Sequence, residues 1–434
     1  MGSGKTLRRI HGGVAERLRE ATAAPHPAVR QGVSNLLDDY VGVRRADEVF
    51  ILYTADARDP AAWILAEFIG RGLEPRVIRM NASQDQTLEQ RLREALPDPA
   101  KLRSRLVLLT VERDTMSHFL PLRRALAPYR EQAWAMLRLI NASAAFFRHA
   151  LNVTPRMLSG LNGALLTRLM PAKSVHISSS SGTSLDVKLD SKRYRWLSNR
   201  GVWREGAFRV LPPGEVSTFP ANINGVLVAD GAFNLSTFTT TDARLANHPV
   251  TIEIEEGRVR SYSCSDAAVR RLLRRFFEGQ NADRVGELGF GTNVGIQRFI
   301  RLNSHINERH PGVHVGLGAH GQKIKAVPYE SDIHLDLITS DAAIVIDDGE
   351  IIRSDNLAMF RNEHHPDPVR EGIDEEDIDG DCCGMIAAEV AKARAEYLKS
   401  TNLRAEGGAT WSRKSERGSP PRRQRRSFER GTSR

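Results

Sequence analysis

Between residues 47 and 112 the apolar positions come in short unbroken runs separated by amphipathic stretches. "DEVFILYT", "PRVIRMN" and "SRLVLLTVE" read as strands, while "DPAAWILAEFIGRGL" and "DQTLEQRLREAL" carry helical spacing. Strands alternating with helices of that length predict a doubly wound parallel sheet. Helical patterns continue through "FLPLRRALAPYREQAWAMLRLI" and "TPRMLSGLNGALLTRLM". The α/β N-terminal domain is therefore placed at 47–170, behind a helical lead-in at 1–46.

After residue 170 the period shortens. "SVHISSSSGTSLDVKLD", "FRVLPPGEVSTFP", "GVLVADGAF" and "HPVTIEIEEGRVRSYS" alternate apolar and polar residues between Gly, Asp and Pro turns. This predicts an α+β domain over 171–360. One helix, "SDAAVRRLLRRFFEG", opens on Ser265 as a candidate N-cap. Further strands are "GVHVGLG", "IHLDLI" and "AAIVIDDGEIIRSD". An acidic linker and a helix follow over 361–400.

Composition changes this picture little. The 434 residues are 41% hydrophobic and 26% charged, as in ordinary globular chains. No apolar run approaches the roughly 18 residues that cross a bilayer, so no membrane partner is expected. "MGSGKTLRRIHGG" has no apolar core of a signal peptide. The three cysteines, Cys264, Cys382 and Cys383, read as reduced thiols of a cytoplasmic protein.

Charge does change it. Residues 401–434 carry ten Lys/Arg against three Glu, which is +7 of the chain's net +9 and leaves the rest near +2. This basic tail is expected to be disordered and solvated, with nucleic-acid contact as the alternative.

Several motifs fail on physical grounds. "GSGKT" at 2–6 lacks the earlier Gly and the preceding strand of a phosphate-binding loop. "EEDIDGDCCGMI" puts Ile386 where a calcium loop needs Glu. No GxSxG elbow or HExxH helix is present.

What remains is a set of polar residues in apolar or Gly-rich strand contexts. In "IHLDLI", His334 and Asp336 share one face and Leu335 and Leu337 the other. Glu215 lies in "LPPGEVSTFP", Glu287 in "GELGFGTN", and His314 in "GVHVGLG". Carboxylates are rarely buried unless paired or bound to metal. Carboxylates with two imidazoles make a ligand set for one or two divalent ions of the Zn, Co, Mn or Fe type. Each feature has a structural counterpart: a hydrogen-bonded Glu, or a His–Asp pair that holds a core together.

Taken in order, "SSSGTSLDVKL", "LPPGEVSTFP…NGVLVADG", "GELGFGTN", "NERHPGVHVGLG" and "IHLDLI…IVIDDGEIIRSD" resemble the thermophilic metallo-aminopeptidases of the aminopeptidase T type, over roughly 175–355. The resemblance implies a two-metal centre (Zn, Co or Mn) on Glu215, Glu287, His314, His334 and Asp336, with a small peptide or amide as substrate and a homodimeric assembly. It also implies that two ions activate a shared water; Glu215 is the candidate general base, because a loop flanked by Pro can turn it to the cavity. The family places a Tyr after the histidine matching His314. Here "GLGAHGQK" has none, so His320 is the candidate to bond the carbonyl oxygen, and Tyr329 is the nearest tyrosine. A second branch of the fold resembles 2,5-dihydroxypyridine dioxygenases, with one Fe(II) on a two-His-one-carboxylate triad. Its His-x-Asp matches His334 and Asp336, and its other histidine falls on Glu287. The leading expectation is an aminopeptidase-like hydrolase. The alternatives are the Fe(II) ring-cleaving dioxygenase and a non-catalytic partner protein on the same fold.

Overall fold

A computed structural model describes residues 18, 24–81, 85–112, 118–202, 206, 208–237, 239–347 and 349–375. Expectations for the phosphate-loop imitation, the vicinal cysteines, the helix beyond 376 and the basic tail lie outside the described residues.

The apolar runs form the predicted parallel sheet. Its order is Arg76–Met80, Glu48–Thr54, Leu106–Val111, Trp134–Leu139, Phe208–Leu211, and every neighbouring pair is parallel. Helices Pro27–Asn35 and Arg58–Gly70 pack on one face, and Leu88–Ala95 and Phe119–Leu126 lie on the other. Coverage on both faces explains why these strands are nearly continuous in apolar residues.

Two segments depart from expectation. "AWAMLRL", expected to be helical, is the strand Trp134–Leu139, buried at every residue. Arg138 interrupts its apolar run, and that charge is met by buried Glu112 at 2.8 Å. The last strand of the sheet, Phe208–Leu211, comes from beyond residue 170. Conversely, helix Pro155–Leu169 contributes Leu158, Leu161, Leu165 and Leu166 to the core of the later strands. The boundary at 170 therefore does not separate the two cores.

The later strands form two antiparallel sheets. One has seven strands in the order Arg258–Cys264, Val250–Glu255, Asn222–Ala229, Ser184–Lys188, Ser174–Ser178, Ala343–Ile346, Glu350–Arg353. The other has six, in the order Ala232–Leu235, His334–Ile338, Gly312–Gly318, Val285–Gly291, Glu215–Thr218, Trp196–Asn199. Apolar residues of both sheets merge into one core with helix Ala267–Phe276. That helix is capped by Asp266 rather than Ser265: the carboxylate accepts from the amides of Ala268 and Val269. No helix among the described residues is long and apolar enough to cross a membrane.

Candidate metal centre

The six-stranded sheet has two unlike faces. Leu288, Phe290, Val313, Val315, Leu317, Leu335 and Leu337 turn into the core. The alternate positions carry His314, Glu287, His334, Asp336 and Glu215, interleaved with glycines. Register sets the pattern: Gly289 pairs with His314, Gly316 with both Glu287 and Asp336, Gly318 with His334, and Gly291 with Glu215. The glycines keep the floor flat. A Cβ at Gly316 would lie 2.7 Å from His334 Cε1 and 2.8 Å from the Glu287 Cβ. "GELGFGTN" and "GVHVGLG" alternate functional residues and glycine on one face and core residues on the other.

All five sequence-derived ligand candidates converge. Donor atoms of Glu215, Glu287 and His314 lie within 4.8 Å of one another, and so do those of Glu287, His334 and Asp336. Glu287 belongs to both groups. Glu215, expected in a Pro-flanked loop, begins a buried strand.

The donor set fits a cation. His334 Nδ1 lies 3.0 Å from the carbonyl of Ala319, a contact that places a proton on Nδ1. Nε2 then faces Asp336 Oδ1 at 2.9 Å and Glu287 Oε2 at 3.4 Å. Carboxylates only accept, so without an ion the imidazole must carry a second proton, standing in for the metal. His314 Nε2 faces Glu215 Oε1 at 3.0 Å, and its buried Nδ1 has no hydrogen-bond partner.

The electrostatics follow. Burial opposes charge on His314, but the hydrogen bond to Glu215 and the neighbouring carboxylates prevail and raise it to about 9. His334 is likewise driven well above the ordinary range by Asp336 and Glu287 against the effect of burial. Burial also works against the charged form of Glu287, yet the hydrogen bond and charge of His334 bring it down to about 2. Excess negative charge and buried imidazoles held cationic describe a site whose protons a divalent ion would displace.

A second ring of residues was not singled out in the sequence. On the short helix His305–Glu308, His305 Nδ1 donates to Glu308 Oε1 at 2.7 Å. Asn234 Nδ2 donates to the other Glu308 oxygen at 2.6 Å and lies 3.4 Å from Asp336. Arg309 pairs with Glu308 at 3.1 Å and with Oε2 of Glu215, which leaves Oε1 to the cluster. The i,i+3 spacing of His305 and Glu308 was the available signal, inside a segment with no helical periodicity.

The cluster opens into a pocket of about 650 Å³, counting space open to solvent, with Arg195, Phe219, His305, Arg309, His320 and Gln322 on its walls. His320 does not serve as the expected donor to a substrate carbonyl. Its Nε2 donates to the carbonyl of Tyr329 at 2.8 Å, and its Nδ1 accepts from the amide of Gln322 at 3.2 Å. Both nitrogens are engaged, and the ring is a wall. It stands nearly perpendicular to the rings of Phe219 and Tyr329, at 6.0 and 4.7 Å between centroids. Tyr329 is not at the cluster: its hydroxyl donates to the carbonyl of Gly318 at 3.1 Å.

Comparisons with known proteins bear on the fold. Residues 163–359 match the family model of NicX, 2,5-dihydroxypyridine 5,6-dioxygenase. No curated protein matches the chain. Among solved structures, the 2,5-dihydroxypyridine dioxygenase of Pseudomonas putida KT2440 is 17% identical, with 75% of this chain and 95% of that one covered, at a TM-score of 0.53. AmpT of Thermus thermophilus is 16% identical, with 75% and 97% covered, at a TM-score of 0.46. The chain thus shares the fold of the dioxygenase. The leading expectation of a hydrolase is the less supported one: the family match backs the alternative, the dioxygenase.

Proposed function

We propose that this chain is a metal-dependent oxygenase that opens a small hydroxylated aromatic ring, with Fe(II) held by His334, Asp336 and Glu287. The observation that carries this reading is the dioxygenase family match, whose span contains Glu215, Glu287, His314, His334 and Asp336. The pocket supports it. Phe219 and the ring of His320 suit a planar aromatic substrate.

The chain's own residues have assignable tasks. The Ala319 carbonyl fixes the tautomer of His334 and presents Nε2 to the ion. Asn234 holds Glu308 beside Asp336, and Glu308 orients His305 for proton exchange with a bound ring. Phe219 and His320 exclude water from one side. The iron, when bound, supplies the redox chemistry with dioxygen that no side chain here provides.

One observation favours a second reading, hydrolysis by two ions. Glu287 puts a carboxylate where the dioxygenase resemblance implies an imidazole, and it belongs to both ligand groups. A bridging carboxylate between two cations is the arrangement of two-metal hydrolases.

The test is the anaerobically purified full chain, analysed for metal and assayed for oxygen uptake with 2,5-dihydroxypyridine and related dihydroxylated rings. One Fe per chain with oxygen consumption supports the oxygenase. Two Zn, Co or Mn per chain, with release of amine from aminoacyl anilides and no oxygen uptake, replaces it with the hydrolase.

A further inference from the structure

Helix Ala267–Phe276 carries Arg270, Arg271, Arg274 and Arg275 and no acidic residue, its cap Asp266 aside. Arg270 is engaged with the carbonyls of Cys264 and Ser265. The side chains of Arg271 and Arg275 make no hydrogen bond or ion pair with any described residue. They are one helical turn apart on one face of the helix, a spacing at which like charges repel.

Both line a pocket of about 860 Å³, counting space open to solvent, that is separate from the metal centre. Across it, Thr237, Thr239 and Thr241 leave strand Ala232–Leu235 at alternate positions and line the same space. The Thr239 hydroxyl already accepts from the amide of Thr241 at 3.1 Å, so its proton is left to donate. Leu235, Ala268, Leu272, Phe276 and Ile333 complete the lining, and no carboxylate is among its described residues.

We propose that this pocket is a binding site for a phosphate-class oxoanion carrying an apolar group. Two guanidiniums and three hydroxyls supply more donors than one carboxylate uses, and they match the oxygens of a tetrahedral dianion. The anion relieves the repulsion between Arg271 and Arg275. The apolar residues receive the group attached to it. The site does not depend on which reaction the metal centre performs.

The test is titration calorimetry of the metal-loaded full chain at constant ionic strength, with inorganic phosphate and with phenyl phosphate. One ion per chain is expected, with phenyl phosphate the tighter ligand. Arg271→Gln and Arg275→Gln should each weaken binding by about tenfold, with metal content unchanged. Arg274→Gln, on the same helix but outside the pocket lining, should bind as wild type. In phosphate-free buffer the double variant Arg271→Gln/Arg275→Gln should melt no lower than wild type, because it loses only a repulsion. Equal weakening by Arg274→Gln would reduce the effect to general surface charge and overturn the site. Undiminished binding in the double variant would place the anion elsewhere, at the metal centre first. Phenyl phosphate no tighter than phosphate would remove the apolar subsite.

Discussion

Gly289 lies directly opposite His314 across the antiparallel pair Val285–Gly291 and Gly312–Gly318, and a Cβ on it would sit 1.9 Å from His314 Nε2. The imidazole therefore lies over the glycine, and the position of one ligand candidate depends on the absence of a side chain on the next strand. Gly289→Ala should expel His314 from the cluster and lower metal content, while far-ultraviolet circular dichroism stays native. Gly349→Ala, where the added carbon meets nothing closer than 3.5 Å, should keep full metal content. Equal metal content in the two variants would sink the packing argument.

The strand His334–Ile338 should divide by face. Leu335 and Leu337 are fully buried in the core, so Leu335→Ala and Leu337→Ala should each cost about 2–5 kcal/mol with normal metal content in the folded fraction. His334→Ala and Asp336→Ala should abolish activity and metal binding. Because metal stabilises only the state that binds it, a chelator should narrow the melting gap between these variants and wild type, leaving only what the metal-free His334–Asp336 ion pair contributes. A gap that a chelator leaves unchanged would show that the pair is structural.

Glu287 decides between the two chemistries. Glu287→His restores the imidazole that the dioxygenase resemblance implies. On the oxygenase reading it should keep one Fe(II) per chain and oxygen uptake within about tenfold of wild type, a difference of 1.4 kcal/mol. On the two-ion reading it loses the bridging carboxylate, and bound metal should fall from two ions to one. Metal analysis beside an oxygen electrode separates these outcomes.

The metal-free protein should show a pH signature of His314. Its folded value is raised to about 9, above the 6.5 of a free imidazole. The proton it holds therefore stabilises the fold fully below pH 6.5, and that contribution is lost as pH rises through about 9. Chelated wild type should melt above chelated His314→Gln at pH 6, and the gap should close by pH 9.5. Metal affinity should run the other way and rise with pH, since the ion must displace that proton. A gap independent of pH between 6 and 9.5 would show that His314 is held neutral.

Local elements and the faces they present are legible in the chain alone. Period-2 alternation placed Leu335 and Leu337 on one side of a strand and His334 and Asp336 on the other, and "GELGFGTN" and "GVHVGLG" stood out as Gly-rich strands carrying Glu287 and His314. Those are properties of neighbours in the chain, which a single sequence records. The resemblance supplied which polar residues belong together. Tertiary structure decided the rest. Only strand register puts Gly289 beneath His314 and Gly316 between Glu287 and Asp336. Trp134–Leu139 looks helical until parallel neighbours cover both its faces and buried Glu112 answers Arg138. His320 and Tyr329 passed as catalytic candidates because their side chains can do such chemistry, but backbone groups from residues 318, 322 and 329 occupy their polar atoms. Asn234, His305, Glu308 and Arg309 reach the cluster from a strand and a short helix far apart in the chain, and no periodicity in the sequence encodes a contact of that kind.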